Sequence, residues 1–143
     1  MVEIVNRQRQ RKLNPIHWRE FGERALYAIG KGEANVTIVF VSDDAIKTLN
    51  RRFRGKNYST DVLSFPSEAE RFEIEYAAQL GDVIISVQRA AAQAKEHRLS
   101  FADEVRQLIL HGLLHLCGHD HETDQGEMNR LELRLRKRLE IEG

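Results

Sequence analysis

Apolar positions recur along this chain in two rhythms, one of period two and one of helical period, and together they predict an alternating order of strands and helices. Val2, Ile4 and Val5 alternate closely enough for a first strand. Asn14-Pro15 then opens a helix, because asparagine can cap its free N–H groups and proline at the first helical position loses nothing by lacking one. Ile16, Phe21, Ala25, Leu26 and Ile29 draw that helix's apolar stripe, which stops near Gly30 and Gly32. Val36 to Val41 is β-branched and almost wholly apolar, the pattern of a strand covered on both faces. Ser42 caps a short helix through Ala45, Ile46 and Leu49. Asp61 to Pro66 predicts a strand ended by proline, and Asp82 to Ser86 a further buried strand. Residues 67–79 show no clear period.

Ser86 caps a helix running through the alanines to about His97. Ser100 opens the next, with Asp103 or Glu104 near its third position as a loose capping box. Phe101, Val105, Leu108, Ile109, Leu113 and Leu116 form its apolar side. Asp124, with Glu127 three residues on, caps a last helix from Gln125 to about Ile141. The sum is an α/β fold in a single domain over residues 1–143, a small mixed β-sheet packed with helices.

Composition narrows the class. At 143 residues, with 41% hydrophobic and 31% charged positions, the chain is long enough to bury a core of its own. No run of about 18 apolar residues exists, so no membrane partner is expected. The first twelve residues lack the apolar centre of a signal peptide, and a single cysteine allows no internal disulfide. A reducing cytoplasm is the expected location. Net charge is zero, from 22 basic and 22 acidic residues, which argues against gripping nucleic acid by overall charge. Local basic clusters remain at Arg7, Arg9, Arg11 and Lys12, at Arg51, Arg52, Arg54 and Lys56, and at Arg134, Arg136, Lys137 and Arg138, each readable as a solvated face or as a nucleic-acid contact.

The richest chemistry lies in His111-Gly-Leu-Leu-His115-Leu-Cys-Gly118-His-Asp-His121. His111 and His115 stand one helical turn apart on one face. Gly118 can take the left-handed conformation that ends a helix, turning the chain so that His121 approaches the other two. Three neutral imidazoles at one point make a site for one Zn2+ per chain with a vacant fourth position, which suits catalysis more than scaffolding. Three imidazoles would also accept nickel, copper or iron. His119, in the turn, is read as a non-ligand. Cys117 lies about 200° around the helix from His115 and is read as packing. Asp120, Glu122 and Asp124 can orient an imidazole N–H or serve as turn and cap residues. His17 and His97 have no ligand-spaced partner and are read as ordinary hydrogen-bonded residues.

The same spacing, H-x-x-x-H-x-x-G-x-x-H, occurs in metzincin proteases, which carry a glutamate general base after the first histidine. Here that position is Gly112, which can move no proton, and Met128 sits in a predicted helix rather than a turn. A metzincin-like metallopeptidase would need its base from elsewhere. Upstream, Leu49-Asn-Arg-Arg-Phe-Arg54-Gly-Lys56 forms a basic loop leading into the strand at 61–66. The planar fork of an arginine there can hold a phosphate and offset charge that builds in phosphoryl transfer.

The histidine motif, the Arg-Gly-Lys loop running into Thr60-Asp-Val-Leu-Ser-Phe-Pro66, and Leu80-Gly-Asp-Val-Ile-Ile-Ser86 together resemble the YbeY family of rRNA-maturation endoribonucleases, in the same order over about residues 35–135. The resemblance implies a single-stranded-RNA endoribonuclease acting in 16S rRNA 3′-end maturation and ribosome quality control, with the 16S precursor and the small ribosomal subunit as partners. It implies zinc on His111, His115 and His121 and a functional arginine at Arg54. The family often has tyrosine where this chain has His119, so a tyrosine-based role does not carry over. On this reading Arg54 positions the scissile phosphate, and the metal polarises that phosphate or a water. Either a water or an RNA 2′-OH could attack. Phe53 or Tyr58 could stack a base or pack in the core. A non-catalytic ribosome-binding module is the remaining alternative.

Overall fold

The computed structural model describes residues 1–67, 79–119 and 124–141. In chain order these form β1 (Val2–Asn6), α1 (Pro15–Ile29), β2 (Asn35–Val41), α2 (Asp43–Arg54), β3 (Val62–Pro66), β4 (Gln79–Ser86), α3 (Val87–His97), α4 (Phe101–Leu116) and α5 (Glu127–Arg138). The sheet order is β1-β2-β4-β3. β1, β2 and β4 run parallel, and β3 pairs antiparallel with β4 at the edge, so the sheet is mixed as expected.

One face of the sheet carries the main core. Ile38 and Phe40 of β2 and Val83 and Ile85 of β4 meet Phe21, Ala25 and Leu26 of α1 and Val105, Ile109 and Leu113 of α4. On the other face α2 inserts Ile46 among Val41, Leu63 and Ile84. The sequence predicted β2 to be covered on both faces, yet Thr37 and Val39 are only half-buried. The reason is placement, because α2 lies mainly over β3 and β4.

Four of the five helix starts among the described residues follow the predicted caps. Asn14 accepts from the N–H groups of Ile16 and His17, Ser42 from Ala45, Ser86 from Arg89 and Ser100 from Asp103. Asp103 then pairs with Arg106 at 2.8 Å. α2 corrects the sequence reading. The segment taken as a basic loop is its last turn, with Arg51, Arg52 and Arg54 before a left-handed Gly55 (φ 67°). Arginine is a good helix former and is favoured at the negative end of the helix dipole, so nothing halts the helix before the glycine.

The partly covered sheet face yields a first prediction. Asp82 lies in one cross-strand row with Thr37 and Glu3. Burial, and then the nearby Glu3 charge, push its carboxyl above the usual 3.8. The folded state therefore holds the proton more tightly than the unfolded chain, and stability falls as pH rises through the raised value. Asp82 is nonetheless exposed, so solvent screening keeps the effect small: Asp82→Asn is expected to melt slightly above the parent at about pH 7 and level with it at about pH 3. Thermal melts at the two pH values check this, and an equal gap at both would refute it.

Candidate active site

α4 has two working sides. Val105, Ile109 and Leu113 point into the core. Glu104, Leu108, His111 and His115, spaced four, three and four residues apart, line a cleft of about 690 Å³. At the C-terminal end of α4 the N–H of Gly118 donates to His115 O and that of His119 to Leu114 O, while Gly118 sits at φ 90°. This is the Schellman arrangement the glycine predicted. It turns the chain back, and His119 also lines the cleft.

The two helix histidines converge. Their ring centroids are 4.6 Å apart with planes at 71°, and their Nε2 atoms face each other at 3.0 Å. Behind them His111 Nδ1 lies 2.7 Å from Glu132 Oε1 of α5. Arg136 Nη2, one turn further along α5, donates to the other oxygen of Glu132 at 2.8 Å. Burial alone would push the Glu132 carboxyl up. The hydrogen bond and charge of His111, with the Arg136 guanidinium, outweigh it and hold the carboxyl below its usual range. Glu132 thus stays anionic between two partners and fixes the His111 ring with Nε2 toward the cleft.

Arg54 reaches the same cleft from the end of α2. Its Nη2 donates to Ser64 O of β3 at 2.9 Å, and Ser64 Oγ donates to Gly112 O of α4 at 3.0 Å. Strand β3 therefore ties the arginine to the helix that bears the histidines. Gly112 permits that closeness, since a Cβ built there would meet Val83 Cγ1 at 2.7 Å and Ser64 Oγ at 3.2 Å. The position after His111 is pressed against the sheet.

Arg54, His111 and His115 share one cleft. His121, with Asp120 and Glu122, lies outside the described residues. Cys117 is half-buried and does not line the cleft, and burial pushes its thiol up while Lys31 pulls the other way. Asp124 accepts from the N–H groups of Gly126 and Met128 and so braces the turn into α5, but it is not the predicted cap: the helix starts two residues later than predicted, at Glu127, and its N-cap is the left-handed Gly126. Met128 is buried within α5 and forms no turn. His17 meets Arg106, and His97 meets Glu104. Phe53 and Tyr58 are 60% and 54% exposed and so are not core residues, and Phe53 stands edge-on to Phe65. Sequence reasoning missed Glu132 and read Arg136 only as part of a basic cluster, not as the partner of Glu132. Their spacing of four on one helix was visible, but nothing local linked them to His111.

Two imidazole nitrogens bound to one tetrahedral metal at about 2.0–2.1 Å stand roughly 3.3 Å apart. The 3.0 Å pair, with a carboxylate behind one ring, fits that demand for two of the three expected ligands. Among the described residues no group of three or more His, Cys, Asp or Glu side chains gathers in metal-holding geometry. No described helix is long and apolar enough to cross a membrane.

The family model described as "Endoribonuclease YbeY" matches residues 3–140. A Geobacter metallireducens protein named endoribonuclease YbeY is 37% identical over 137 residues, covering 95% of this chain and 91% of the relative. One from Koribacter versatilis, with the same name, is 45% identical over 121 residues, covering 85% and 74%. The solution structure of a Thermotoga maritima protein superposes with a TM-score of 0.66 at 28% identity, covering 97% of this chain and 89% of that one.

Proposed function

The chain belongs to the endoribonuclease YbeY family, and from that premise we propose that it cuts single-stranded RNA in the cleft between α2, β3 and α4, with zinc held by His111, His115 and His121. The observation that carries the reading is the meeting of a phosphate-binding cation, Arg54, with a converged, carboxylate-backed histidine pair in one cleft. When bound, the metal supplies Lewis-acid polarisation of the reacting phosphate or of a water.

The side chains have separate tasks. Arg54 spends one Nη2 hydrogen on Ser64 O, which leaves the other donors of its guanidinium for the scissile phosphate and for the charge that grows on it. Glu132 orients His111 and, held between that histidine and Arg136, does not serve as the general base. Phe53 and Tyr58 offer exposed rings on which flanking bases can stack. The family resemblance supports the finer reading, a cytoplasmic role in 16S rRNA 3′-end maturation and ribosome quality control on the small subunit. No observation favours the peptidase, because the position its base would occupy is filled by Gly112 against Val83.

The test is cleavage of single-stranded RNA by the purified protein, with and without a chelator. Arg54→Ala is expected to lower the rate by about 10²–10³-fold with the fold intact, and Arg54→Lys to recover only part of it. Full activity in the alanine variant would remove Arg54 from the mechanism. RNA left uncut by metal-loaded protein would end the nuclease reading.

A further inference from the structure

The cleft does not stop at the histidines. Its other end is formed by Gln93 and His97 of α3 facing Glu104 and Gln107 of α4. We propose that this end is a nucleobase-reading subsite, which takes the base of a nucleotide neighbouring the scissile phosphate. The proposal deepens the single-stranded-RNA reading and rests on it.

Three observations carry it. Position comes first: Glu104 precedes His111 by seven residues on one face of α4, so the two ends lie roughly 10 Å apart along the helix axis. That is too far for contact with the reacting atoms and close enough for an adjacent nucleotide. The second is charge. The histidine end has Arg54 and Arg136, whereas the far end has the carboxylate of Glu104 and two neutral amides. A phosphate would meet the wrong charge there, but an amide presents both donor and acceptor to a base edge. The third is preorganisation. Glu104 is 2% exposed, and it engages His97 Nδ1. The His97 side chain is 53% exposed and lines the cleft, so the buried carboxylate pins the ring at Nδ1 while much of it stays accessible. Gln93, four residues before His97 on α3, stands on the same face.

The experiment measures kcat/KM of the metal-loaded enzyme on a short single-stranded RNA and on copies each lacking one base. In the parent enzyme, loss of one particular base near the cut is expected to lower kcat/KM about tenfold. Gln93→Ala, a substitution that favours the helix, is expected to bring the intact RNA down by a similar factor and to erase the penalty for that missing base. His97→Gln, which can still donate to Glu104, is expected to do the same. A merely structural defect would lower every substrate equally and leave the penalty in place, which would overturn the subsite. So would a flat profile in a parent enzyme that cuts RNA, with the nuclease reading untouched. If the parent cuts no RNA at all, the nuclease reading falls and takes the subsite with it.

Discussion

His115→Ala is expected to lower RNA cleavage by more than about 100-fold and to cut bound zinc well below one per chain, with the helix content unchanged. Even the outer partners of a metal ligand typically cost 10–100-fold when removed, so loss of a ligand itself should exceed that. The fold should survive because His115 is only half-buried and lines the cleft, while Leu113, Leu114 and Leu116 hold α4 to the core. Glu132→Gln is the graded companion. It removes the charge behind His111 and is expected to weaken metal affinity about 10–100-fold without abolishing binding. Competition with a coloured chelator reads both affinities, and the visible spectrum of the cobalt-substituted protein reports the ligand geometry independently of activity. A His115→Ala protein that keeps a full zinc complement and the parent rate would remove the histidine pair from the site.

The ladder of effects mirrors what a sequence can and cannot carry. Ser42, Ser86 and Ser100 were legible as caps because a cap is a contact two or three residues long. His111, His115 and Gly118 were legible because one helical turn and one helix stop set their relation. The identity of Arg54 was legible too, but not its place on a helix end rather than in a loop, because the length of α2 is set by where Gly55 breaks it and by what it covers. Glu132 was illegible for a different reason. It meets His111 across 21 residues of chain, through the docking of α5 on α4. The far end of the cleft is similar. His97 was read as an ordinary hydrogen-bonded residue and is hydrogen-bonded, but its partner, Glu104, lies on the next helix, and only the fold turns the pair into a wall of the cleft.

Gly112 shows how packing decides chemistry, and its replacement should have the second large effect. Alanine there gains about 1 kcal/mol of helix propensity but forces a Cβ to within 2.7 Å of Val83 Cγ1 and 3.1 Å of Cγ2. Val83 is fully buried and has a stiff, β-branched side chain. Its strand is paired on both sides, with β2 and β3, so neither side chain nor backbone can give way cheaply. Overpacking of this kind costs about 1–3 kcal/mol, so Gly112→Ala should be destabilised on balance, by about 1 kcal/mol in urea unfolding. Gly112→Glu adds a carboxylate wedged against the sheet, with several kcal/mol of desolvation if it stays buried. Against a net stability of about 5–15 kcal/mol, that is enough to deplete soluble, folded protein. It would also displace Ser64, and with it the carbonyl that holds Arg54. The glutamate that equips a metzincin therefore cannot be added at this position to make a peptidase. Soluble yield, urea midpoint and peptide cleavage of the Gly112→Glu protein test this together. A variant as stable as the parent would show that α4 can lift from the sheet, and that the closeness of Arg54 to the histidines does not depend on a glycine.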